Sequence, residues 1–590
     1  MAGAASSVWL DEVVAAERSG ELLSAVDLAE RGLEEHPGDV ALQYRAVLAL
    51  ARAGSTEQAA RRFEEFGLRA VDTEDVRALE ARIAKDVALA ASPAERRTLA
   101  RRSAALYGEI FAATGGYYPA INAATLLLVG GDADAAKALA RIVLARLDDR
   151  DDDGYFAVAT QAEALLLLGN VVAARSALER AAALHGDDYG AVATTRRQLR
   201  LVSEHAGIDA SFLSVLAGPR VVHYCGHRIT RDDNGPFRAE DQDAAARAIA
   251  AELDRRPAAY AYGSLASGAD ILWAEALVER GTELHIVLPF GREEFVAASV
   301  ADAGPEWVAR FEHCLAAASR TTLATDDAFL DDDVLYRYGS ELAMGLTLLR
   351  ARFVDGESRQ LALWDGLPAR GAAGTAIDVA AWGSRGREAT IVAPPRRTPE
   401  DAPIETPHVG RNERIVRAML FADIKGFSKL GDAQLPCFAE HVLGAFANVL
   451  GRHRDSVEFS NTWGDGLYVV MTDAITAAAC ALDLQHAMSE LDLVALGLPE
   501  HLALRLGAHV GPVYALRDPI LGVESFMGSQ VSRTARIEPV TPSGAVYVTE
   551  SFAATLELND APFACDYVGH MPAAKDFGRL RMYRLRAAYD

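Results

Sequence analysis

Residues 420–428 read Leu-Phe-Ala-Asp-Ile-Lys-Gly-Phe-Ser, and residues 460–467 read Ser-Asn-Thr-Trp-Gly-Asp-Gly-Leu. The apolar run from Ile415 to Ala422 predicts a buried strand that ends on the carboxylate of Asp423. The glycines and the aspartate of residues 463–466 predict a hairpin turn between two short apolar runs. This stretch decides the fold of the carboxyl-terminal third of the chain.

The surrounding pattern extends this stretch into a complete topology. Apolar residues at helical spacing predict helices over residues 434–450 and 474–491, and a further strand is expected over residues 501–508. The order is then β-α-β-β-α-β, the split ferredoxin-like arrangement. The first and third strands are antiparallel neighbours in this arrangement, so we expect Asp423 and Asp465 to lie side by side.

Two adjacent carboxylates point to a metal site. Their charges repel unless a cation lies between them, and Mg²⁺ is bound by few carboxylates together with substrate phosphates. The turn at Gly426 offers backbone N–H groups suited to phosphate oxygens. Taken alone, Asp423 is also compatible with a helix or turn cap, and Asp465 with an ordinary hairpin residue. Together, in this topology, they favour a metal site.

The Asp-Ile-Lys-Gly-Phe-Ser-Lys-Leu motif at residues 423–430 and the Asn-Thr-Trp-Gly-Asp-Gly motif at residues 461–466 resemble the two metal-binding motifs of class III nucleotidyl cyclases. The resemblance runs from about residue 414 to residue 585. It implies two divalent cations, Mg²⁺ or Mn²⁺, held by Asp423 and Asp465 with the carbonyl of Ile424. It also implies a phosphate-binding turn made by the backbone amides near Gly426, Phe427 and Ser428.

Two later segments extend the resemblance. Residues 528–536 look like the helix that stabilises the transition state in this family, with Ser532 where an asparagine is usual and Arg536 at the arginine position. Residues four apart share one helical face, and a guanidinium can meet the charge on the transferring phosphoryl group. Residues 574–583 resemble the final hairpin of the family, which places Lys575 at the triphosphate lysine. Each basic residue alone is also compatible with a solvated surface charge.

The base pocket departs from the family pattern. Asn461 and Ser525 stand where adenine-selective members carry a lysine and an aspartate, and where guanine-selective members carry a glutamate and a small polar residue. The usual donors and acceptors for a purine edge are therefore missing. This departure is compatible with UTP or CTP as substrate, as in bacterial relatives that use cyclic pyrimidine nucleotides as antiviral defence signals. ATP or GTP remains the alternative.

The predicted reaction forms a 3′,5′-cyclic nucleoside monophosphate and pyrophosphate from a nucleoside triphosphate, for use in signal transduction. In the family, aspartates of one subunit face the base and transition-state residues of another. One chain here carries both sets, so the resemblance implies a head-to-tail homodimer. The substitutions at Asn461, Ser525 and Ser532 leave open a degenerate cyclase fold that acts as a nucleotide-binding switch or scaffold.

Composition excludes several other classes. The formal charge of −24 without a basic patch argues against nucleic-acid binding. Five scattered cysteines suggest neither disulfides nor zinc, and we expect a cytoplasmic protein. The amino terminus does not have the pattern of a signal peptide, and the apolar runs are too short to span a bilayer.

Residues 1–206 are predicted to form helical repeats that resemble tetratricopeptide repeats. Three segments repeat a glycine turn followed five or six residues later by the second of two small residues, at Gly54, Gly131 and Gly169. A repeat of this kind indicates a helical solenoid. The surface of the repeats would bind a protein or peptide partner, or the repeats would only hold the other domains together.

Residues 215–382 alternate strands and helices, which predicts a Rossmann-like α/β domain with an open parallel sheet. The loop before a helix at Gly263, Ser264, Gly268 and Asp270 is a candidate site for a nucleotide-like ligand. The alternative is that these glycines only permit tight turns. A proline-rich linker is predicted over residues 383–410, followed by the cyclase domain over residues 411–590. The fold class is therefore multidomain: all-α repeats, an α/β sheet, and an α+β ferredoxin-like domain.

Overall fold

The computed structural model describes residues 2–149, 154–229, 237–369, 371–393, 414–520, 522–576 and 578–588. A helical region, a parallel sheet and a mixed sheet follow one another along the chain. No helix among these residues combines the length and the apolar character that crossing a membrane requires. Most of the predicted linker, residues 394–410, lies outside the described residues.

The first region consists of helices packed in pairs. The helices are α1 (Ala2–Arg18), α2 (Leu22–Glu35), α3 (Val40–Arg52), α4 (Thr56–Glu65), α5 (Glu74–Ala90), α6 (Pro93–Thr114), α7 (Tyr117–Val129), α8 (Ala133–Asp148), α9 (Tyr155–Leu167), α10 (Val171–Leu184) and α11 (Tyr189–Ala206). The repeating glycines Gly54, Gly131 and Gly169 each lie between paired helices with φ of 84°, 85° and 80°. Glycine adopts this left-handed backbone without strain, which explains the repeat seen in the sequence.

The second region is an open sheet of parallel strands. Its strands are β1 (Arg220–Gly226), β2 (Tyr260–Gly263), β3 (Glu283–Leu288), β4 (Arg320–Leu323), β5 (Glu357–Leu363) and β6 (Ala389–Val392), in the order β4-β3-β2-β1-β5-β6. Its helices are α12 (Gln242–Arg255), α13 (Ala269–Glu279), α14 (Arg292–Ser299), α15 (Pro305–Ala317), α16 (Val334–Phe353) and α17 (Thr375–Gly383). The strand β6 falls within residues 383–410, so the segment predicted as linker begins with a strand of the sheet.

The third region has the predicted split topology. Its strands are β7 (Arg414–Lys425), β8 (Val457–Trp463), β9 (Gly466–Met471), β10 (Ala503–Arg517), β11 (Glu524–Met527), β12 (Val546–Thr549), β13 (Phe563–Pro572) and β14 (Arg579–Ala587). Its helices are α18 (Leu435–Cys437), α19 (Gly444–Arg452), α20 (Ala474–Ser489), α21 (Ser529–Thr534) and α22 (Glu550–Leu558), and a π-helical segment (Phe438–Leu443) joins α18 to α19. The strand order is β13-β14-β12-β10-β7-β9-β8, with β11 beside β10, so β7 lies between β10 and β9 as the ferredoxin-like arrangement requires.

The helix α16 connects the second and third regions. Buried side chains of α16, such as Leu346, belong to the same apolar core as Phe552 on α22 of the third region and Val26 on α2 of the first. The Gly345 backbone lies so close to α22 that an added Cβ would sit 2.3 Å from the carbonyl oxygen of Ala554. The three regions therefore share one continuous core around α16.

Candidate active site of the carboxyl-terminal domain

Asp423 and Asp465 lie at the same end of two neighbouring strands. Asp423 is near the end of β7, and Asp465 occupies the turn between β8 and β9. In the antiparallel pairing of β7 with β9, Ala422 lies opposite Leu467, which brings the two aspartates together. Burial, and next the negative charge of Asp423, raise the pKa of Asp465. The side-by-side arrangement predicted from the sequence is therefore present.

Arg505 and Glu538 complete this group of charges. Arg505 lies opposite Asp423 in the pairing of β10 with β7, and its Nε and Nη2 donate hydrogen bonds of 3.0 and 2.7 Å to Oδ2 of Asp423. The Nε atom of Arg505 is also 2.5 Å from Oε1 of Glu538. Sequence reasoning missed both residues. The register of β10 against β7 would have identified Arg505, because its neighbours Leu504 and Leu506 are buried while Arg505 faces the aspartates.

The charge balance of this group suits a divalent cation. We name Asp423, Asp465, Arg505 and Glu538 the site cluster; it holds three carboxylates and one guanidinium. Burial outweighs the attraction of Arg505 and raises the pKa of Glu538 to about 7. Carboxylate oxygens in excess of positive charge are the ligands that Mg²⁺ takes. The residues present therefore fit the cations that the sequence predicts.

The predicted phosphate-binding turn follows Asp423 directly. Gly426 has a φ of 94°, and a short 3₁₀ helix (Phe427–Lys429) comes after it. An added Cβ at Gly426 would lie 2.9 Å from the ring of His501, so the turn needs glycine for space as well as for conformation. The ring of Phe427 packs 4.9 Å from that of Phe438, which holds the turn against the body of the domain.

The residues predicted to act on the transition state lie in later segments of the domain. The helix α21 carries Ser532 but ends at Thr534, so Arg536 lies in the turn after the helix and not on one helical face with Ser532. The chain then continues into a short 3₁₀ helix (Glu538–Val540), whose Pro539 has no N–H group to donate to a continued α-helix. Lys575 is exposed in a tight turn before β14. Among the described residues, no hydrogen bond or ion pair joins Ser532, Arg536 or Lys575 to either aspartate.

The two base-pocket candidates lie on two strands that come close to each other without pairing. Asn461 is exposed on β8, and Ser525 is half-buried on β11. The rings of Phe459 and Phe526, on the same two strands, are 6.4 Å apart. The Oδ1 atom of Asn461 accepts a hydrogen bond of 2.9 Å from the backbone of Thr462. The Asn461 amide group therefore keeps its two N–H donors for a ligand.

The candidate second site is a cavity of about 320 Å³ beside the parallel sheet. Ser264 and Asp270 line this cavity, while Gly263 and Gly268 serve packing, because an added Cβ would lie 2.6 Å from Tyr224 and 2.7 Å from the backbone of Ile229 respectively. Burial raises the pKa of Asp270 to about 7. Its Oδ2 accepts a 3.2 Å hydrogen bond from the amide of residue 266, so this carboxylate uses a donor that a phosphate would need.

Asp378, on α17, also lines this cavity, and burial raises its pKa to about 7. Sequence reasoning missed this residue, which becomes a neighbour of the loop only through the fold. Asp270 and Asp378, two carboxyl groups with raised pKa values, give the cavity the chemistry of a hydrogen-bonding pocket.

Comparison with known proteins gives two matches along the chain. A family model described as Tetratricopeptide Repeats-Sensor matches residues 21–127. The model of the Adenylate and Guanylate cyclase catalytic domain matches residues 412–587. No curated protein matches the chain.

Several solved structures resemble the third region. The adenylyl cyclase CyaB from P. aeruginosa is 17% identical, covers 30% of this chain and 97% of its own, with a TM-score of 0.28. The guanylate cyclase domain of RhGC from Catenaria anguillulae is 20% identical, with 30% and 97% covered and a TM-score of 0.26. The guanylyl cyclase Cya2 is 22% identical, with 30% and 95% covered and a TM-score of 0.27.

The fold, the paired aspartates and the family match define the third region as a class III nucleotidyl cyclase catalytic domain. The chain thus carries a nucleotidyl cyclase catalytic domain, preceded by tetratricopeptide-like repeats. The predicted cyclase domain and the predicted repeats are confirmed. The preferred base, the cations and the roles of individual residues remain predictions.

Proposed function

We propose that this cyclase converts a nucleoside triphosphate to a 3′,5′-cyclic nucleoside monophosphate and pyrophosphate at a site built on Asp423 and Asp465. The ribose 3′ oxygen attacks the α-phosphorus, its proton is lost to solvent, and the bond to the pyrophosphate oxygen breaks. The observation that carries this proposal is the pairing of the two carboxylates at the ends of neighbouring strands. Nucleophile and electrophile belong to one molecule, so positioning supplies much of the rate.

The carboxylates of Asp423 and Asp465, with the carbonyl of Ile424, would hold two Mg²⁺ or Mn²⁺ ions. Such ions, when bound, lower the pKa of the attacking hydroxyl and offset the charge of the leaving pyrophosphate. When no metal ions are bound, Arg505 offsets part of the negative charge of the carboxylates. Its fork of N–H donors also suits phosphate oxygens. The amides at Gly426, Phe427 and Ser428 would orient the triphosphate.

The remaining functional residues would come from a second copy of the chain. Within the part of the chain that the structure describes, Arg536, Ser532 and Lys575 form no hydrogen bond or ion pair with the two aspartates, which supports a head-to-tail homodimer with the active sites between subunits. Arg536 would then stabilise the charge on the transferring phosphoryl group, and Lys575 would bind the triphosphate. An apolar patch on the β10–β11 hairpin, made of Leu516, Ile520, Val523 and Met527, supports contact with another subunit.

The base pocket supports a pyrimidine substrate. Asn461 offers uncharged amide donors and Ser525 a hydroxyl, without the charged residues that usually read a purine edge. UTP or CTP would satisfy such a pair, and ATP or GTP is the alternative. The cyclic product would act as a second messenger, with antiviral signalling as the setting that the pyrimidine reading suggests.

The other regions would regulate the cyclase. The division into residues 1–206, 215–382, 383–410 and 411–590 remains our proposal for the domains, with a Rossmann-like second domain. The cavity lined by Ser264 and Asp270 would bind a nucleotide-like ligand through its base or ribose, because the carboxyl groups of Asp270 and Asp378 disfavour a phosphate there. The helical repeats would bind a protein or peptide.

The decisive experiment incubates the purified protein with each of the four common nucleoside triphosphates and Mn²⁺ and measures cyclic product and pyrophosphate. We expect a cyclic pyrimidine nucleotide as the main product. The Asp423→Asn variant should lose turnover and keep its fold, whereas Asp455→Asn, at a fully exposed aspartate of the same domain, should match the wild type. A folded dimer that makes no cyclic product from any triphosphate would favour a nucleotide-binding switch instead.

A further inference from the structure

A loop of the second region holds the cyclase helix α21. We name residues 325–332, between β4 and α16, the clasp loop. The Nε2 atom of Gln530 donates hydrogen bonds of 2.7 Å to Oγ1 of Thr325 and 3.3 Å to Oδ2 of Asp327, and the hydroxyl of Ser529 donates to the other oxygen of Asp327. Gln530 and Thr325 are fully buried. These bonds join two regions far apart in sequence.

The opposite side of Gln530 is fixed within the cyclase domain. The amide nitrogen of Gln530 donates to the clasp loop, so its oxygen must accept the 2.9 Å hydrogen bond from Nε2 of His509. Burial lowers the pKa of His509 to about 3, so the ring is neutral and its Nδ1 accepts from the hydroxyl of Thr549 at 2.8 Å. Each partner has its donor and acceptor assigned, and Gln530 has a single orientation.

The clasp loop also holds the strand that carries the first aspartate of the active site. Arg414, at the start of β7, donates hydrogen bonds of 3.1 Å to Oδ2 of Asp332 and 2.9 Å to the carbonyl oxygen of Ala328. Arg414 and Asp332 are both buried. One loop therefore contacts both β7, which ends near Asp423, and α21, which carries Ser532.

The clasp loop continues directly into the wall of the second-region cavity. Asp333 follows the loop, and Tyr336 and Gly339 on the first turns of α16 line the cavity with it. Phe329 of the loop stacks on Phe290, after β3, with ring centroids 4.5 Å apart. A shift of the residues that line the cavity would therefore also move the clasp loop, because the two are packed directly against each other.

We propose that Thr325 and Asp327 of the clasp loop are positioning residues for the cyclase reaction. They hold α21 through Ser529 and Gln530, so that the segment with Ser532 and Arg536 meets the substrate in one orientation. The rate of the cyclase then depends on the state of the second region. This inference rests on the proposed function, since it assigns α21 a part in the reaction.

The first test compares Asp327→Ala with Asp331→Asn, an exposed aspartate of the same loop whose left-handed φ of 56° asparagine tolerates well. The loss of a charged acceptor from a buried network should lower kcat at least about tenfold and leave the KM for the triphosphate within about threefold. Asp331→Asn should leave both values unchanged. An Asp327→Ala variant with wild-type kcat would overturn the proposal.

The second test is a rescue. Gln530→Glu places a carboxylate against Asp327 and should lower kcat by repulsion, while Gln530→Glu combined with Asp327→Asn restores one donor and one acceptor and should recover most of it. A double variant no more active than Gln530→Glu would contradict the proposal. This pair also covers the case in which Asp327→Ala does not fold.

Hydrogen exchange separates this proposal from the proposed function. Residues 528–537 should exchange faster in Asp327→Ala than in the wild type, whether or not either protein makes a cyclic nucleotide. Faster exchange together with an inactive wild type would support the role of the clasp loop in holding α21 and would reject the cyclase reaction. Unchanged exchange would show that the clasp loop does not hold α21, even if the wild type is an active cyclase.

Discussion

Two clusters of charged residues differ in how their charges are balanced. The site cluster has three carboxylates and one guanidinium. The second, which we name the junction cluster, has four carboxylates, three guanidiniums and one histidine, at Glu21, Asp27, Glu283, Glu550, Arg320, Arg350, Arg581 and His285. Nearly every charge in the junction cluster has a partner, whereas the site cluster keeps an excess of negative charge.

The junction cluster joins all three regions. Arg350, on α16, pairs with Glu21 of the helical region and with Glu283 of the parallel sheet, and Arg581 of the cyclase domain pairs with Asp27 at 2.9 Å. Burial raises the pKa of Glu21, but the charges of Arg350, His285 and Arg581 outweigh it and lower that pKa to about 2.

Oxygen and nitrogen atoms of Glu21, Glu283 and His285 lie within 4.8 Å of one another, the spacing of metal ligands. Arg350 already contacts both glutamates and is 4% exposed, so its guanidinium occupies the position that a metal ion would take there. Arg505 of the site cluster is 29% exposed, and its single positive charge faces three carboxylates. The paired, inaccessible charges of the junction cluster stabilise the contact between regions. The unpaired, accessible negative charge of the site cluster is available to a ligand.

The largest effect should follow from Asp465→Asn. We expect turnover to fall by about a thousandfold or more, because one of two cation-binding carboxylates is lost. Stability should stay the same or rise slightly, since the change removes a charge whose pKa burial and Asp423 have raised. Cyclase assays and urea denaturation measure the two effects, with Asp455→Asn as the control. If Asp465→Asn instead lowers the free energy of unfolding, the carboxylates of the site cluster stabilise the fold as those of the junction cluster do, and the contrast between the clusters is wrong.

The next largest effect should follow from Arg350→Met, which leaves the half-buried Glu21 and Glu283 without their buried arginine partner. Removing one member of a buried ion pair costs about 3 kcal/mol or more, so the free energy of unfolding should fall by that order. Urea denaturation measures it, and Arg454→Met, at an arginine 81% exposed, is the control.

Adding Glu21→Gln to Arg350→Met should recover part of the loss, because it removes one of the two stranded charges. The midpoint of denaturation is the quantity to compare between the single and the double variant. If Arg350→Met alone unfolds at the wild-type urea concentration, the junction cluster contributes no stability and the distinction between the clusters fails.

The sequence predicted the elements whose signals are local. The hairpin around Asp465 and the strand that ends near Asp423 follow from short apolar runs, and their pairing follows from the topology. The strand β10 was predicted to end at residue 508 but continues to Arg517. Gly511 and Pro512 are strand breakers by propensity, yet pairing with β12 stops at Ala508 and pairing with β11 begins at Tyr514, so proline lies where one side of β10 has no neighbouring strand.

Features that depend on distant pairings could not be predicted. Arg505 reaches Asp423 only through the register of β10 against β7, and a shift of one residue would turn it to the other face. The contact of Thr325 with Gln530 depends on how two regions dock. Nothing near Gln530 in the sequence signals a partner about two hundred positions earlier, because a buried amide has no periodic pattern.

The smallest effect should appear in the pH dependence of stability without metal. Burial raises the folded-state pKa of Glu538 to about 7, above that of an unfolded glutamate. The folded protein therefore holds this proton while the unfolded chain releases it, so stability falls as the pH rises from about 4.5 to about 7 and then levels off. The lowered pKa of Glu21 has the opposite effect, with stability lost only as the pH falls below about 4.5.

With EDTA present, Glu538→Gln should therefore weaken the decline in stability between about pH 5 and about pH 8, by about 1 kcal/mol after allowance for solvent screening. Glu21→Gln should keep the wild-type decline across that window, because the carboxylate of Glu21 is ionised throughout it. Urea denaturation at both pH values measures the difference. A wild-type decline in Glu538→Gln would mean that Arg505 neutralises Glu538 as fully as Arg350 neutralises Glu21, and the contrast in charge balance would be lost.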